Sequence, residues 1–119
     1  MTEKVIIAGA GGQGIMVLGK VLSVAAMIEN RHVTWMPAYG PEVRGGAAHC
    51  TVIISDEEIG SPWVEKADAL LIMNALSLER FKERAKRGGL LILNSSLATM
   101  GTKEGALKIL QFPFTDIAA

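Results

Sequence analysis

A glycine-rich turn between a short apolar run and an apolar segment of helical period constrains the fold more than any other feature. Residues 5–8 are long enough for a buried strand and are mostly β-branched. Gly9, Gly11 and Gly14 then follow the G-x-G-x-x-G spacing, and residues 15–28 have helical period. Such a strand–turn–helix unit favours an anion, because glycines let backbone approach it and helix N–H groups point at it. The alternative is that these glycines only permit a sharp turn.

Composition excludes several classes of protein. The 119 residues suffice for one domain, and twelve basic side chains cancel twelve acidic ones, which offers no electrostatic argument for nucleic acid binding. The N-terminus does not resemble a signal peptide, and the most apolar segment is too short to span a bilayer. Cys50 is the only cysteine, so neither a disulfide framework nor a Cys-ligated iron–sulfur cluster can form within the chain. We therefore expect a cytoplasmic protein without a membrane or nucleic acid partner.

The first predicted helix, residues 15–29, is apolar nearly all round. Its polar side chains are confined to Lys20, Ser23 and Glu29. The whole chain is also rich in apolar residues: half of it is hydrophobic and only 20% is charged. A helix of this kind is usually buried on more than one side. We expect the excess apolar surface to meet other subunits, and the isolated chain to self-associate. A parallel sheet covered on both faces would also raise the apolar fraction.

Strand and helix patterns alternate along the chain. They predict strands at 4–8, 32–36, 47–55, 69–73, 90–93 and 106–112, with the third antiparallel to its neighbours and Pro37 ending the second. A second helix is predicted at 78–87, with Ser77 as its N-cap and Gly88 in the left-handed conformation after it. The pattern predicts one domain, residues 1–119, with a doubly wound, Rossmann-like α/β fold: a three-layer sandwich around a mostly parallel sheet. Ligands of such sheets bind at the carboxyl ends of the strands, where residues 9–14, 37–46, 74 and 94–96 collect.

The chemistry of a complete enzyme is missing from this pattern. A dinucleotide-binding enzyme needs an acidic residue near the end of its second strand, and residues 34–38 contain none, so NAD binding is disfavoured. His32 and His49 lack the spacing of a metal site, and Cys50 is interpreted as a small buried hydrophobe. We find no self-contained catalytic constellation.

The segment after the second strand, residues 39–46, is rich in conformationally special residues. It contains an aromatic residue, an acid and Arg44, whose guanidinium can bind a carboxylate or phosphate with two hydrogen bonds. The alternative is that Arg44 pairs internally, for example with Glu42, and only holds the loop in shape.

Two motifs together resemble a known family. The turn Gly-Ala-Gly-Gly-Gln-Gly and residues 35–46, Trp-Met-Pro-Ala-Tyr-Gly-Pro-Glu-Val-Arg-Gly-Gly, resemble the gamma subunit of the 2-oxoacid:ferredoxin oxidoreductases. The resemblance continues through residues 50–62 and covers essentially the whole chain, and residues 37–46 are most similar to 2-oxoglutarate and branched-chain members. Gamma chains of that family normally continue with further helical sequence, so the resemblance implies that a C-terminal part is absent.

The resemblance implies a subunit of an enzyme that oxidatively decarboxylates a 2-oxoacid, foremost 2-oxoglutarate, with coenzyme A and ferredoxin. It implies alpha, beta and ferredoxin-type delta partner subunits, which would hold thiamine diphosphate, magnesium and iron–sulfur clusters. This chain would contain no catalytic residue or metal of its own, and would shape substrate access and contribute to coenzyme A binding.

The candidate ligand- or interface-binding residues all fall at the predicted carboxyl edge of the sheet. They are Gly9, Gly11, Gly12, Gln13, Gly14, Tyr39, Gly40, Pro41, Glu42, Arg44, Gly45, Gly46 and Asn74. Two alternatives stay open: a stand-alone nucleotide-binding regulatory module, and the smaller subunit of indolepyruvate:ferredoxin oxidoreductase. A complete dehydrogenase is the weakest hypothesis, since the chain lacks both the ribose-binding carboxylate and a catalytic base.

Overall fold

One mixed sheet organises the chain. The computed structural model describes residues 2–10, 14–38, 47–60, 65–94 and 108–112. Within them, six strands form a sheet of order β2-β3-β1-β4-β5-β6. The strands are β1 (Thr2–Ala10), β2 (His32–Ala38), β3 (Ala47–Ser55), β4 (Ala67–Ile72), β5 (Ala85–Asn94) and β6 (Lys108–Phe112).

Five of the six strands run in the same direction. β3 is antiparallel to both β2 and β1, whereas β1 and β4, β4 and β5, and β5 and β6 are parallel pairs. β2 and β3 are consecutive strands that pair antiparallel, so β3 is the reversed strand of the sheet. The prediction of a mostly parallel sheet with an antiparallel third strand is therefore confirmed.

Helices cover the two faces of the sheet. Helix α1 (Ile15–Ile28) packs on one face, where Ile7, Ile15 and Cys50 form a buried cluster. Helix α2 (Ala75–Phe81) packs on the other, where Leu78 and Phe81 join a larger cluster. Because successive residues of a strand point to opposite faces, Ile6 belongs to the α2 cluster and Ile7 to the α1 cluster. The predicted doubly wound three-layer sandwich is confirmed.

The second helix corrects the sequence prediction. Its N-cap is Asn74, whose Oδ1 accepts a hydrogen bond from the Ser77 backbone N–H at 2.9 Å, and the helix ends at Phe81. A 3₁₀ turn, Lys82–Arg84, follows, and β5 begins at Ala85 instead of the helix continuing to residue 87. The helix-forming charged residues misled the prediction, because pairing of Ala85 with Ala67 in the sheet overrides local propensity.

Two further details of the strands differ from expectation. Gly88 has the predicted positive φ, +79°, but it lies inside β5, where the register against β4 shifts between Ala67 and Ala69. Pro37 does not end β2, which continues to Ala38. β2 is an edge strand, and an edge strand tolerates a residue that cannot donate a ladder hydrogen bond. Among the described residues, no helix is long and apolar enough to cross a membrane.

Candidate functional site

The carboxyl edge of the sheet brings together the two motifs that the sequence singles out. Ala10, the last residue of β1, pairs with Ala47, the first residue of β3. Ala38, the last residue of β2, pairs with His49 of β3. The chain therefore enters the glycine turn and leaves segment 39–46 at adjacent positions of adjacent strands. Residues 11–13 and 39–46 themselves lie outside the described residues.

The N-terminus of α1 faces this edge without an acidic partner on its own first turn. Gly14 is the N-cap, with φ +74° in the left-handed region, and its carbonyl accepts the first helical hydrogen bond from the Leu18 N–H at 2.9 Å. Gly14 has no side chain that could cap the helix, and the first turn contains no acidic residue. The first N–H groups and the positive end of the helix dipole can therefore serve an anion.

Hydrogen bonds join the ends of three strands at the same edge. The Met73 N–H donates to the Ala8 carbonyl at 2.8 Å, and the Asn94 side-chain amide donates to the Met73 carbonyl at 3.1 Å. Asn94 is completely buried, although the sequence places it at this edge without making it a candidate. These two hydrogen bonds link the ends of β1, β4 and β5 at the carboxyl edge of the sheet.

Asn74 has a structural role that the sequence did not assign. Its side-chain oxygen caps α2, as described above, and that hydrogen bond explains the presence of an asparagine at the end of β4. The Asn74 backbone carbonyl also accepts the Leu78 N–H at 3.1 Å. A ligand or interface contact by Asn74 stays a prediction.

Beneath the edge, α1 makes an unusually close approach to the sheet at Gly19. A Cβ added to Gly19 would lie 2.6 Å from Cys50 Sγ and 2.7 Å from Trp35 Nε1. Burial raises the pKa of the Cys50 thiol above its ordinary value of 9.0, an effect that the Trp35 side chain partly offsets. A fully buried thiol of this kind is a packing group, as the sequence predicted, and not a nucleophile.

The histidine near this edge is also accounted for by packing. The rings of His49 and Phe81 are 4.8 Å apart between centroids and tilted by 55°. Arg80 and Arg84 place their guanidinium carbons 5.6 and 5.7 Å from the centre of the Phe81 ring. Across the described ranges, no group of His, Cys, Asp or Glu side chains is arranged to hold a metal ion.

The other candidate residues are only partly located. Gly9 lies in β1 opposite Ala48, and Gly14 caps α1. The remaining candidates lie outside the described residues: Gly11, Gly12, Gln13, Tyr39, Gly40, Pro41, Glu42, Arg44, Gly45 and Gly46. The sequence missed Gly19 as the contact point between α1 and the sheet, although an isolated glycine in a helical pattern often marks such a contact.

Comparison with known proteins agrees with this architecture. Residues 4–119 match the family model described as pyruvate ferredoxin/flavodoxin oxidoreductase. The chain belongs to this family. Its described fold is similar to the gamma subunit of a keto/oxoacid ferredoxin oxidoreductase from Geobacter sulfurreducens, with a TM-score of 0.86 and 30% identity over 99% of this chain and 64% of that one.

Curated relatives in the pyruvate ferredoxin/flavodoxin oxidoreductase family differ in length. The chain is 43% identical, over 97% of its length, to the ketoisovalerate oxidoreductase subunit VorA of Methanothermobacter thermautotrophicus, of which it spans 24%. It is 36% identical, over 100% of its length, to the 2-oxoglutarate synthase subunit KorC of Methanocaldococcus jannaschii, of which it spans 65%. The resemblance to gamma subunits of 2-oxoacid:ferredoxin oxidoreductases is thereby confirmed. The chain covers about two thirds of the KorC relative and a quarter of VorA.

Proposed function

We propose that this protein acts as the gamma subunit of a multi-subunit 2-oxoacid:ferredoxin oxidoreductase. The enzyme would decarboxylate a 2-oxoacid oxidatively, transfer the acyl group to coenzyme A and pass electrons to ferredoxin. Alpha and beta subunits would hold thiamine diphosphate with magnesium, and partner chains would hold the iron–sulfur clusters. With one cysteine, this chain cannot supply the four thiolates that such a cluster commonly takes.

The pairing of Ala10 with Ala47 supports the proposal most directly. It places the starting point of the glycine turn beside the end point of segment 39–46, next to the N-terminus of α1. Both 2-oxoacids and coenzyme A are anionic, and N–H groups at a helix N-terminus together with a bidentate arginine suit such ligands. We propose that this edge faces the partner chains and contributes to binding coenzyme A, with Arg44 as the principal side chain.

The 2-oxoacid is proposed to be 2-oxoglutarate, on the wording of residues 37–46. A branched-chain 2-oxoacid is the second candidate, because the chain is 43% identical to a ketoisovalerate oxidoreductase subunit and 36% identical to a 2-oxoglutarate synthase subunit. Turnover of the complete enzyme with 2-oxoglutarate and with 2-oxoisovalerate, measured side by side as ferredoxin reduction, separates the two.

Arg44 provides the test of the site. A charge-assisted hydrogen bond contributes about 1.5–3 kcal/mol, which corresponds to roughly 10- to 150-fold in binding. In the reconstituted complex, Arg44→Ala should raise the KM for coenzyme A or for the 2-oxoacid within that range. Arg44→Lys keeps the charge but loses the planar pair of donors, so it should recover only part of the loss.

The matched control is Arg87→Ala, which removes an exposed arginine from the N-terminal half of β5, the half away from the carboxyl edge of the sheet. It should assemble and turn over as the unmodified chain does. If both Arg44 variants assemble normally and match the unmodified complex for both substrates, the proposed anion-binding role of the edge is wrong. A chain that fails to join thiamine-type and ferredoxin-type subunits would contradict the assignment as a subunit.

A further inference from the structure

The carboxyl edge of the sheet has a topological switch point between β1 and β4. These two strands are parallel neighbours in the middle of the sheet. The chain leaves β1 through α1 and reaches β2 on one side, whereas it leaves β4 through α2 and reaches β5 on the other side. The two helices also lie on opposite faces of the sheet. The two connections therefore diverge, and open α/β sheets bind their ligands in the crevice at such a point.

Two short segments flank the switch point. On the β1 side, the glycine turn follows the strand and α1 begins after its N-cap, Gly14. On the β4 side, Met73 and Asn74 connect the strand to α2. The Met73 N–H donates to the Ala8 carbonyl at 2.8 Å, so the β4 segment begins directly beside the end of β1. The position of Met73 and Asn74 therefore defines one side of the proposed anion site.

Met73 is held by three separate contacts. Its N–H group bonds to Ala8, and its side chain packs against the cluster under α1. Its carbonyl accepts the hydrogen bond from the Asn94 side-chain amide at 3.1 Å. The next residue, Asn74, caps α2 through the Ser77 N–H. The Asn94 amide therefore fixes the orientation of the peptide that joins Met73 to the α2 cap.

An amide at position 94 has a cost that only this hydrogen bond explains. Asn94 is completely buried, as are Leu91 and Leu93 of the same strand. Burying an amide is unfavourable unless it is hydrogen-bonded, and a leucine at this position would avoid the penalty. The last residue pair between β4 and β5 is Ile72 with Leu93, so the Asn94 side chain extends the link between the two strands to Met73. The site where Asn94 acts is thus the switch point itself.

We propose that Asn94 is a positioning residue for the anion site: through the Met73 carbonyl, it holds the β4 side of the switch point in place against the end of β1. This inference rests on the proposed function of the carboxyl edge. Asn94 is buried, so it acts through Met73 and Asn74 and does not touch the ligand. Loss of its amide lets the connection from β4 to α2 shift, which weakens anion binding and leaves the chemistry in the partner subunits unchanged.

Steady-state kinetics of the reconstituted complex test the positioning role. Asn94→Leu keeps a similar volume and removes the donor. It should raise the KM of the same substrate that Arg44→Ala affects by roughly 2- to 10-fold, the range that one neutral hydrogen bond represents, with kcat and the other KM unchanged. The matched control is Leu91→Val, which removes a methylene group from a fully buried position of the same strand. It should leave both KM values unchanged.

Asn94→Asp gives a second readout that a purely structural role would not produce. The new side chain is nearly isosteric, and its carboxyl group donates a hydrogen bond only while it is protonated. At each pH, the KM of this variant is divided by the KM of the unmodified complex. The ratio should rise with pH as the carboxyl group loses its proton, because the carboxylate then faces the Met73 carbonyl without a donor. A ratio that does not change with pH would contradict the proposal.

Amide hydrogen exchange of the full chain tests the structural step without any substrate. Asn94→Leu should speed exchange of the Met73 and Ser77 N–H groups more than Leu91→Val does, because only the former releases the connection from β4 to α2. Equal exchange in the two variants would overturn the proposal.

The kinetic outcomes also separate this inference from the proposed function. If Arg44→Ala raises a KM and Asn94→Leu does not, or if Leu91→Val raises the same KM as much as Asn94→Leu does, the positioning role is wrong and the anion site stands. If neither Arg44→Ala nor Asn94→Leu changes a KM, both the positioning role and the anion site are wrong.

Discussion

Replacing Gly19 with alanine should destabilise the protein, although alanine is the better helix former. The added methyl group would meet Cys50 Sγ at 2.6 Å and Trp35 Nε1 and Cδ1 at 2.7 and 3.1 Å. Cys50 is completely buried and Trp35 belongs to the cluster under α1, so neither can move into solvent without opening that cluster. The helix must therefore shift outward by several tenths of an ångström, which loosens the packing of Ile15 against Ile7 and Cys50.

Two opposing contributions set the magnitude. Alanine in place of glycine inside a helix gains about 1 kcal/mol of helix propensity. Inserting a methyl group into a packed interior costs typically about 1–3 kcal/mol, and two contacts below 3 Å place this site in the upper half of that range. We expect a net loss of about 1–2 kcal/mol in the free energy of unfolding, which lowers the melting temperature by roughly 5 °C for a domain of this size.

Urea unfolding followed by circular dichroism and tryptophan fluorescence measures this change. Ala25→Gly, an exposed position of the same helix, is the matched control for propensity alone and should cost about 1 kcal/mol. Combining Gly19→Ala with Cys50→Ala removes the shortest contact, so the double variant should be more stable than the sum of the two single effects predicts. If Gly19→Ala instead stabilises the protein by about 1 kcal/mol, helix propensity alone accounts for the change in the free energy of unfolding, and the inferred close contact of α1 with Cys50 and Trp35 is wrong.

Three other predictions concern different parts of the molecule. Asn74→Ala should lower the free energy of unfolding by about 1 kcal/mol through loss of the α2 cap, whereas Asn74→Asp should be nearly neutral; equal stability of all three proteins in urea unfolding would contradict the capping role. The raised pKa of Cys50 means that above pH 9.0 the unfolded chain loses the thiol proton before the folded one does. The unfolded state then binds fewer protons, so stability should fall as the pH rises further, and Cys50→Ala should remove that part of the decline; identical pH profiles would contradict it. Titration calorimetry should show little or no binding of NAD or NADP, since β2 contains no carboxylate up to its last residue, Ala38. Micromolar affinity would instead support the stand-alone nucleotide-binding module.

Much of the architecture was predictable because its signals are local. The β1 apolar run and the alternating pattern of β3 each depend on neighbouring residues, and β3 was predicted with the bounds that the structure has. The family resemblance, too, rests on two short motifs. The bounds of α2 were wrong because a run of charged, helix-forming residues carries no local mark of the sheet pairing that ends the helix.

The sequence predicted that the candidate site lies at the carboxyl edge of the sheet, but not which residues meet there. Placing the site at the carboxyl edge followed from the βα alternation alone, because parallel strands of such a sheet end on one side. That Ala10 adjoins Ala47, and that Asn94 holds the Met73 carbonyl, depends on strand order and register, which are contacts between residues far apart in sequence.

Helix α1 shows the division most clearly. Its composition predicted a helix buried on more than one side, whereas in the structure only the side with Ile15, Gly19, Ser23 and Ala26 is buried and the valines are exposed. Only the tertiary structure decided which side meets the sheet: Gly19, Ser23 and Ala26 are buried against it, and the large aliphatic side chains on the other side are not. The reason is geometric: the bulk of Trp35 and the Cys50 thiol leaves no room for a side chain at position 19, so the helix turns its smallest face inward and leaves its valines outside.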